Sequence, residues 1–313
     1  MTPCTSCPAC DGAVVIVRDA EDFAFHRSYR LVRCQSCGLV TVDPVPTDAE
    51  LAPYYADAFY GQPSSTSGAA LRFFYGRRAA TVRRHHNKVR RVLDVGCGDG
   101  GFLAHLAKEG VDVAGFEPSA AGAARARDRL KRPGNKAADV VNDLAEVRGE
   151  FDVVTAWHVL EHVAQPRLLL GQLRSLLAAD GIVVLAVPNF DCLEARWGKD
   201  AWFHLDVPRH LHHFSPGSLE RLVVGAGFDV VDVATLSIEY GPFGLLQTAQ
   251  NALPGVPRNA LYGLLKHGQK LPRLTAAAVL AAAAVGTGPA LIGSALQAAL
   301  GRGSSITVTA RPR

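Results

Sequence analysis

Short apolar runs alternate with amphipathic stretches along most of this chain. The runs have the length of buried strands, and the stretches between them are long enough for helices. Strands that alternate with helices at this spacing predict crossover units and a parallel sheet that is covered on both faces. We therefore expect an α/β protein with a doubly wound, mostly parallel sheet of seven strands.

The element boundaries follow from the same pattern. The predicted strands are Arg91–Val95, Val111–Phe116, Ala137–Val141, Phe151–Ala156, Ile182–Val187, Phe228–Ala234 and Ser305–Ala310. The predicted helices are Phe102–Glu109, Ala120–Leu130, Arg167–Leu177 and Pro216–Ala226, preceded by one from Ala69 to Val89.

Four cysteines near the start of the chain form two C-x-x-C pairs, Cys7 with Cys10 and Cys34 with Cys37. Strand-like segments lie between the pairs, as in a zinc ribbon, where each pair gives two thiolates to one tetrahedral ion. We expect a structural Zn²⁺ here, because four thiolates leave no open coordination position and so small a module needs metal to fold. Cys4 forms another C-x-x-C pair with Cys7 and is the alternative ligand.

These sequence patterns divide the chain into five segments. Residues 1–45 form the zinc-ribbon-like module, 46–90 a linker and helical lid, 91–235 the cofactor-binding core, 236–303 an Ala/Leu-rich helical insertion, and 304–313 the last strand. The lid helix carries a basic run that includes Arg77, Arg78, Arg83 and Arg84. A solvated helix face is its expected role, and a nucleic-acid contact is the alternative.

Composition and charge are those of an ordinary globular protein. The net charge of +4, with 20% charged and 48% hydrophobic residues, falls short of the basic stripe of a dedicated nucleic-acid binder. The first residues lack the charged start and apolar run of a signal peptide, so we expect the protein in the cytoplasm. Disulfides are then disfavoured, and the oligomeric state stays open.

The first strand of the core runs into a glycine-rich turn, Asp94-Val95-Gly96-Cys97-Gly98-Asp99-Gly100. Glycines at the carboxyl end of such a strand let the backbone approach a ligand. Gly96, Gly98 and Gly101 also satisfy the dinucleotide pattern G-x-G-x-x-G, which alone is weak. Asp94 favours S-adenosylmethionine over a dinucleotide, because a carboxylate repels a pyrophosphate and attracts the sulfonium and ammonium of S-adenosylmethionine. Asp99 is a second carboxylate that favours the same cofactor.

Further cofactor contacts are expected at the next strand ends. Glu117, followed by Pro118, lies 21 residues beyond Gly96, where an acid can accept the ribose hydroxyls. Asp143, followed by Leu144, suits the adenine amine, with a helix-capping role as the alternative. Cys97 in the glycine turn and Trp157 at the end of the fourth strand complete the set of expected contacts.

These segments together resemble the class I S-adenosylmethionine-dependent methyltransferase family over most of residues 91–235. The glycine turn resembles its first motif, Glu117 its ribose acid, and Phe151–Val163 and Gly181–Asn189 its fourth and fifth strands. A subgroup of the family carries a leading zinc ribbon, and some of its members methylate sugars or other small metabolites. The resemblance implies S-adenosylmethionine as cofactor and a comparable class of acceptor.

Methyl transfer to a hydroxyl or an acidic carbon needs an aligned nucleophile and a base. His158, Glu161 and His162 follow the fourth strand, and His162 is the preferred base. A second cluster, Trp202–Ser215, holds four histidines and is the expected wall of the acceptor pocket, with His210 as another base and Arg209 as an anion clamp. A metal site is the alternative there, and Ser215-Pro216 reads as a helix start that places these histidines in a loop.

The insertion at residues 236–303 contains a run of 28 residues without charge, Leu274–Gly301, between two arginines. It is long enough to span a bilayer, but Gly286, Gly288 and Pro289 are expected to split it. We therefore predict a helical hairpin. It either packs over the domain or contacts the inner face of the membrane, where the protein would bind a lipid-linked acceptor.

The sequence thus predicts transfer of a methyl group from S-adenosylmethionine to oxygen or carbon of a small, sugar-like or lipid-linked acceptor. An NAD-dependent oxidoreductase is one alternative. A zinc-ribbon nucleic-acid-binding or RNA-modifying protein is another, although nucleic acid is not the expected partner. A non-catalytic cofactor-binding scaffold is a third.

Overall fold

The computed structural model describes residues 3–55, 68–131, 139–266 and 268–313. Its strands are β1 (Val14–Glu21), β2 (Ser28–Cys34), β3 (Val40–Asp43), β4 (Arg91–Val95), β5 (Asp112–Phe116), β6 (Asp139–Val141), β7 (Phe151–Trp157), β8 (Leu177–Pro188), β9 (His212–His213), β10 (Phe228–Ala234) and β11 (Ser305–Pro312). Its helices are α1 (Asp48–Leu51), α2 (Gly68–His85), α3 (Gly101–Lys108), α4 (Ala120–Leu130), α5 (Pro166–Ser175), α6 (Leu193–Gly198), α7 (Pro216–Gly225), α8 (Gly241–Asn251), α9 (Ala260–Lys266) and α10 (Arg273–Ala299). The start of the predicted strand at Ala137 and residues 56–67 of the linker and lid lie outside the described residues.

The larger sheet has seven strands in the order β10-β11-β8-β7-β4-β5-β6. Strands β6, β5, β4, β7 and β8 are parallel, and β11 runs antiparallel to both β8 and β10. The predicted mostly parallel, seven-stranded sheet is therefore confirmed. The chain moves from β4 outward through β5 and β6 and returns to β7 on the other side of β4. Ligands bind at such a switch point, at the carboxyl ends of the strands.

Both faces of this sheet are buried because successive side chains of a strand point to opposite sides. On β8, Ile182 and Val184 join one apolar cluster with α2, α3 and α4, whereas Val183 and Leu185 join the other with α5 and α7. The result is three layers, with helices on both faces of the sheet. Helix α7 begins as its sequence predicts, with Ser215 as N-cap and proline in its first turn.

A second, four-stranded sheet has the order β1-β2-β3-β9 and carries the cysteine pairs. Its strand β9 comes from the core, where Val40 pairs with His213 and Thr41 with His212. The expectation that these histidines lie in a loop was wrong for this pair, since they are buried strand residues. A two-residue strand leaves no period in the sequence, and the partner strand β3 has only four residues.

The segment between β10 and β11 is helical, and the two strands pair directly with each other. Helix α10 runs unbroken through Gly286, Gly288 and Pro289, so the expected split was wrong. Two of its glycines serve packing. A Cβ at Gly286 would lie 2.6 Å from Leu246 of α8, and one at Gly293 would lie 3.0 Å from Leu245. Close packing against α8 thus holds the helix together across residues that favour a break in isolation.

Candidate active site

The glycine turn after β4 is anchored to the end of β5 by backbone hydrogen bonds. The amides of Gly96 and Cys97 donate to the carbonyl of Phe116 at 2.7 and 3.0 Å. Gly96 has φ +70°, and a Cβ there would lie 2.5 Å from Cγ2 of Val159. Gly98 has φ +59°, and no described heavy atom lies within 4 Å of where its Cβ would be. The first position thus requires glycine, and the second leaves accessible space beside the backbone.

Asp94 lies two residues before this turn and is almost completely buried. Thr155 Oγ1 donates to its Oδ1 at 2.6 Å. Burial raises the pKa of Asp94 to about 6, and the hydrogen bond from Thr155 and the charge of Arg78 oppose that rise. Asp94 is therefore mainly ionised at neutral pH and provides a buried negative charge next to the glycine turn.

Glu117 meets the same turn from the end of β5. Its Oε2 accepts from the amide of Gly98 at 2.8 Å, and its Oε1 accepts from the amide of Ser119 at 2.9 Å. Pro118 after it is exposed, and Cys97 is buried, with a Cβ on Gly115 reaching 2.7 Å from its sulfur. The structure therefore brings Glu117 and the glycine turn together, with a carboxylate at the open backbone.

Asp143 and Leu144 follow β6. The Asp143 side chain caps a short 3₁₀ helix, where it accepts from the amide of Ala145 at 2.9 Å. The capping role that the sequence left open is thus observed. Leu144 is half-buried against the core. An adenine contact for this pair stays a prediction.

Asp99 does not add free negative charge to the site, which corrects the argument from sequence. Its Oδ2 lies 2.5 Å from Nη2 of Arg129, and its Oδ1 accepts from the amide of Gly101 at 3.1 Å. Arg129 comes from the distant end of α4, and the sequence gives no sign of this pairing. Asp94 and Glu117 therefore stay the predicted acids of the cofactor site.

Arg78 on α2 is a residue of this site that the charge pattern of the sequence does not reveal, because its basic run predicts a solvated helix face. Its guanidinium pairs with Glu239 through bonds of 3.1 and 2.7 Å and lies 5.1 Å above the ring of Trp157. A signal was available, since Arg78 is one turn before the buried Val82 and so shares its face. Helix α2 thus places a cation beside Asp94 and Trp157.

A cavity of about 670 Å³ opens beside the ends of β7 and the second histidine cluster. The predicted groups at 158–162 and 202–215 come together here, and the insertion contributes part of the wall. The lining includes His158, Glu161, His162, His210, Tyr240 and Tyr262. The rings of His162 and His210 lie 4.7 Å apart, and those of His158 and Tyr240 4.0 Å apart.

Glu161 is the buried acid of this cavity. Neither of its carboxylate oxygens has a hydrogen-bond partner within the described part of the chain, although Nδ1 of His158 lies 3.2 Å from Oε1. Burial raises its pKa to about 7. Ligand atoms of Glu161, His162 and His210 lie within 4.8 Å of one another, a grouping that can hold a divalent cation.

The backbone fixes the tautomers of two histidines. Nδ1 of His162 lies 3.0 Å from the carbonyl of Arg209, and Nδ1 of His210 lies 2.8 Å from the carbonyl of His204. Because a carbonyl only accepts, both Nδ1 atoms carry hydrogen, and in a neutral ring the lone pair is then on Nε2. Burial lowers the pKa of His158 to about 3 and that of His210 well below its usual range. Both are neutral at pH 7.

Arg209 is not free to act as the anion clamp that the sequence predicted. Its Nε and Nη2 donate to Oδ1 of Asp206 at 3.1 and 2.8 Å. The pair lies three residues apart in the same turn, so the guanidinium charge is compensated locally. Arg258, Asn259 and Gln269 also line the cavity and add to the polar groups of the histidines and tyrosines.

The four cysteine sulfurs of the N-terminal module lie within 4.8 Å of one another. Cys7 and Cys37 approach to 3.5 Å, as do Cys10 and Cys34. The amides of Ala9 and Cys37 point at sulfurs of the cluster. Cys4 lies outside it, and its thiol donates to the carbonyl of Ser6 at 3.4 Å.

Comparison with known proteins identifies the family. Residues 71–233, just over half of the chain, match the sequence profile of a methyltransferase domain. The chain belongs to the class I S-adenosylmethionine-dependent methyltransferase family. This membership sets aside the NAD-dependent oxidoreductase interpretation and supports S-adenosylmethionine as the cofactor.

Two curated relatives of this methyltransferase are ubiquinone biosynthesis O-methyltransferases. The protein from Psychrobacter arcticus is 31% identical over 166 residues, which cover 49% of this chain and 63% of the relative. The one from Rhodopseudomonas palustris is 34% identical over 160 residues, covering 47% and 61%. The match thus spans about three fifths of the length of these relatives.

Among solved structures, magnesium protoporphyrin IX methyltransferase from Synechocystis with bound S-adenosylmethionine is similar to this chain. The two superpose with a TM-score of 0.41 at 20% identity, over 55% of this chain and 74% of that one.

Proposed function

We propose that this protein transfers the methyl group of S-adenosylmethionine to a hydroxyl oxygen of a small acceptor bound in the cavity. One observation carries the proposal. Val159, the neighbour of His158, packs at the position where a Cβ of Gly96 would lie. The glycine turn and the histidine-lined cavity therefore adjoin. The curated relatives act as O-methyltransferases by name, which favours oxygen over carbon as the methylated atom.

The turn fits the cofactor in charge and in space. The cofactor supplies an electrophilic methyl group on a sulfonium and carries no phosphate. Asp94 would balance its positive charge, and Glu117 would bind its ribose hydroxyls next to the open backbone at Gly98. Trp157 contributes an aromatic wall, and its ring meets that of Phe102 edge-on at 6.0 Å. Asp143 and Leu144 would flank the adenine.

His162 would remove the proton of the acceptor hydroxyl. In the neutral ring Nε2 would accept the proton of the hydroxyl oxygen. The bound cofactor would supply the methyl group to that oxygen, with cleavage of its carbon–sulfur bond and release of S-adenosylhomocysteine. Glu161, with a pKa raised to about 7 by burial, can hold a negative charge beside the resulting imidazolium. His210 is the alternative base, and His158 shapes the wall against Tyr240.

The cavity wall favours an acceptor that combines ring faces with hydroxyls. Phe203, Tyr240 and Tyr262 offer apolar faces, and the histidines offer hydrogen bonds. A sugar-like or lipid-linked small molecule has this combination. The N-terminal module would hold a structural Zn²⁺ through Cys7, Cys10, Cys34 and Cys37, whose sulfurs cluster as four tetrahedral ligands require.

Mass spectrometry of a metabolite extract incubated with the protein and S-adenosylmethionine tests the proposal. A small molecule should gain one methyl group with the wild-type protein, and its yield should fall sharply with His162→Ala. Asp229→Asn changes an exposed carboxylate of β10 that pairs with Arg313, serves as the control and should leave the yield unchanged. An extract in which no metabolite gains a methyl group, although the protein binds the cofactor, would overturn methyl transfer to a small molecule.

A further inference from the structure

Helix α10 has two unlike faces. Val279, Ala290, Ser294 and Gln297 are buried against the rest of the protein. The opposite face carries large apolar side chains that are 61 to 87% exposed: Leu274, Val285, Ile292, Leu296 and Leu300. Their spacings of 11, 7, 4 and 4 residues put them on one side of a helix. A continuous apolar stripe therefore lies along the outside of the molecule.

The buried face of α10 is fixed to α8. Gln250 Nε2 donates to the carbonyl of Val279 at 3.0 Å, and Leu246 packs against Gly286. At about 1.5 Å per residue the stripe extends for roughly 40 Å. An exposed apolar surface of this extent marks an interaction site. The helix is also the one within the described residues that is long and apolar enough to cross a membrane.

Charge indicates what covers this stripe. The sequence from Tyr240 to its end contains no aspartate or glutamate. Lysines and arginines lie beyond the two ends of the apolar stripe: Lys266, Lys270 and Arg273 precede it, and Arg302 follows it. Basic residues at the ends of an apolar helix complement the anionic headgroups of a membrane surface. The same charges would repel one another across an interface between two copies of this helix.

Topology excludes a single crossing. Both ends of the insertion return to neighbouring strands, since β10 and β11 pair with each other over their length. The polar side chains Ser294 and Gln297 on the buried face also contact protein. An orientation across a bilayer is therefore excluded, and an orientation along a surface, with the apolar stripe facing outward, is left.

We propose that α10 binds the surface of an anionic membrane in this orientation. The insertion also forms part of the wall of the acceptor cavity. Asn259 and Tyr262 line the cavity, and neighbouring residues of α9 pack against α10. The identity of the acceptor rests on the proposed function. With that function, this arrangement assigns the acceptor to the amphiphilic molecules that partition into a lipid surface. Membrane binding would place the cavity mouth near the layer that holds them.

Co-sedimentation of the full chain with vesicles tests this inference. The protein should sediment with vesicles of phosphatidylcholine and phosphatidylglycerol, less with phosphatidylcholine alone, and less again at high salt. A double variant, Ile292→Gln with Leu296→Gln, should lower binding at least about tenfold. The matched control is Ile16→Gln with Leu168→Gln, which removes exposed apolar side chains elsewhere and should leave binding unchanged.

Equal binding by the α10 variant and the wild type would overturn the proposal, and so would absence of wild-type binding to anionic vesicles. A dimer in analytical ultracentrifugation that the α10 variant converts to monomer would show that a second copy covers the stripe instead. The two proposals fail separately, because cofactor binding and methylation are measured without vesicles. A protein that binds vesicles but methylates nothing would contradict only the proposed function.

Discussion

The hydroxyl of Thr155 on β7 donates to the carboxylate of Asp94 on β4 at 2.6 Å. The two residues are direct partners in the parallel pairing of these strands. The acid next to the glycine turn is therefore held by the neighbouring strand, and its orientation follows from the sheet register. This bond also opposes the pKa rise that burial imposes on Asp94.

Thr155→Val should make cofactor binding more strongly dependent on pH than it is in the wild type. Without the hydroxyl, the pKa of Asp94 should rise above its value of about 6, so that less of it is ionised at pH 7. Calorimetric titrations with S-adenosylmethionine should show weaker binding at pH 6.5 than at pH 8.5, with a larger ratio than in the wild type. Thr155→Ser keeps the donor and should behave as the wild type. An unchanged pH dependence in the valine variant would contradict this role of Thr155.

Glu161→Gln should stabilise the fold at high pH. The folded-state pKa of about 7 exceeds the usual value of 4.5, so Glu161 favours folding below pH 4.5 and loses that contribution as pH rises through 7. Between pH 5.5 and 8 the wild type should lose about 2 kcal/mol that the variant keeps. Urea unfolding of both proteins at the two pH values measures the difference. A difference that does not change with pH would show that Glu161 is not a buried acid.

His162→Gln should lower kcat for methyl transfer about 10²- to 10⁴-fold, because the acceptor proton loses its base. The affinity for S-adenosylmethionine should change little, since His162 lies in the acceptor cavity. Single-turnover kinetics and cofactor titration separate the two quantities. The same loss in His210→Gln, with His162→Gln fully active, would move the base to His210. That outcome would refute the assignment made here.

Cys34→Ser should release the zinc of the N-terminal module. Each of the four sulfurs is needed for a tetrahedral site, whereas Cys4 lies outside the cluster. Elemental analysis of purified protein should find about one zinc per chain in the wild type and in Cys4→Ser, and much less in Cys34→Ser. Loss of zinc from the Cys4 variant alone would show that Cys4 is a ligand.

Periodic segments were the ones that the sequence predicted well. The strands Arg91–Val95 and Phe228–Ala234 and the helix Ala120–Leu130 agree with the structure in both bounds. A glycine or a helix cap adjoins each of them: Gly96 follows the first strand, Gly227 precedes the second, and Ser119 caps the helix. Strand β9 and the course of α10 through Pro289 could not be predicted in this way, because pairing with a distant strand and packing against α8 decide them.

The residues of the site also differ in how far the sequence predicts them. Acids and glycines next to strand ends could be placed from the sequence, since parallel strands bring their carboxyl ends to one edge. The partners of charged side chains could not. Arg129 neutralises Asp99, Asp206 neutralises Arg209, and Arg78 turns inward to Glu239. Each of these depends on side-chain contacts that no local pattern records.

Calorimetric titration with S-adenosylmethionine, comparing the wild type, Asp94→Asn and Asp99→Asn, tests the central claim most directly. The claim is that the buried charge of Asp94 beside an open glycine turn selects a positively charged cofactor without phosphate. The wild type should bind S-adenosylmethionine and not NAD⁺. Asp94→Asn should bind it at least about tenfold more weakly, and Asp99→Asn, whose acid is paired with Arg129, should stay close to the wild type. Equal affinity in the Asp94 variant, or a wild type that prefers NAD⁺, would contradict the account.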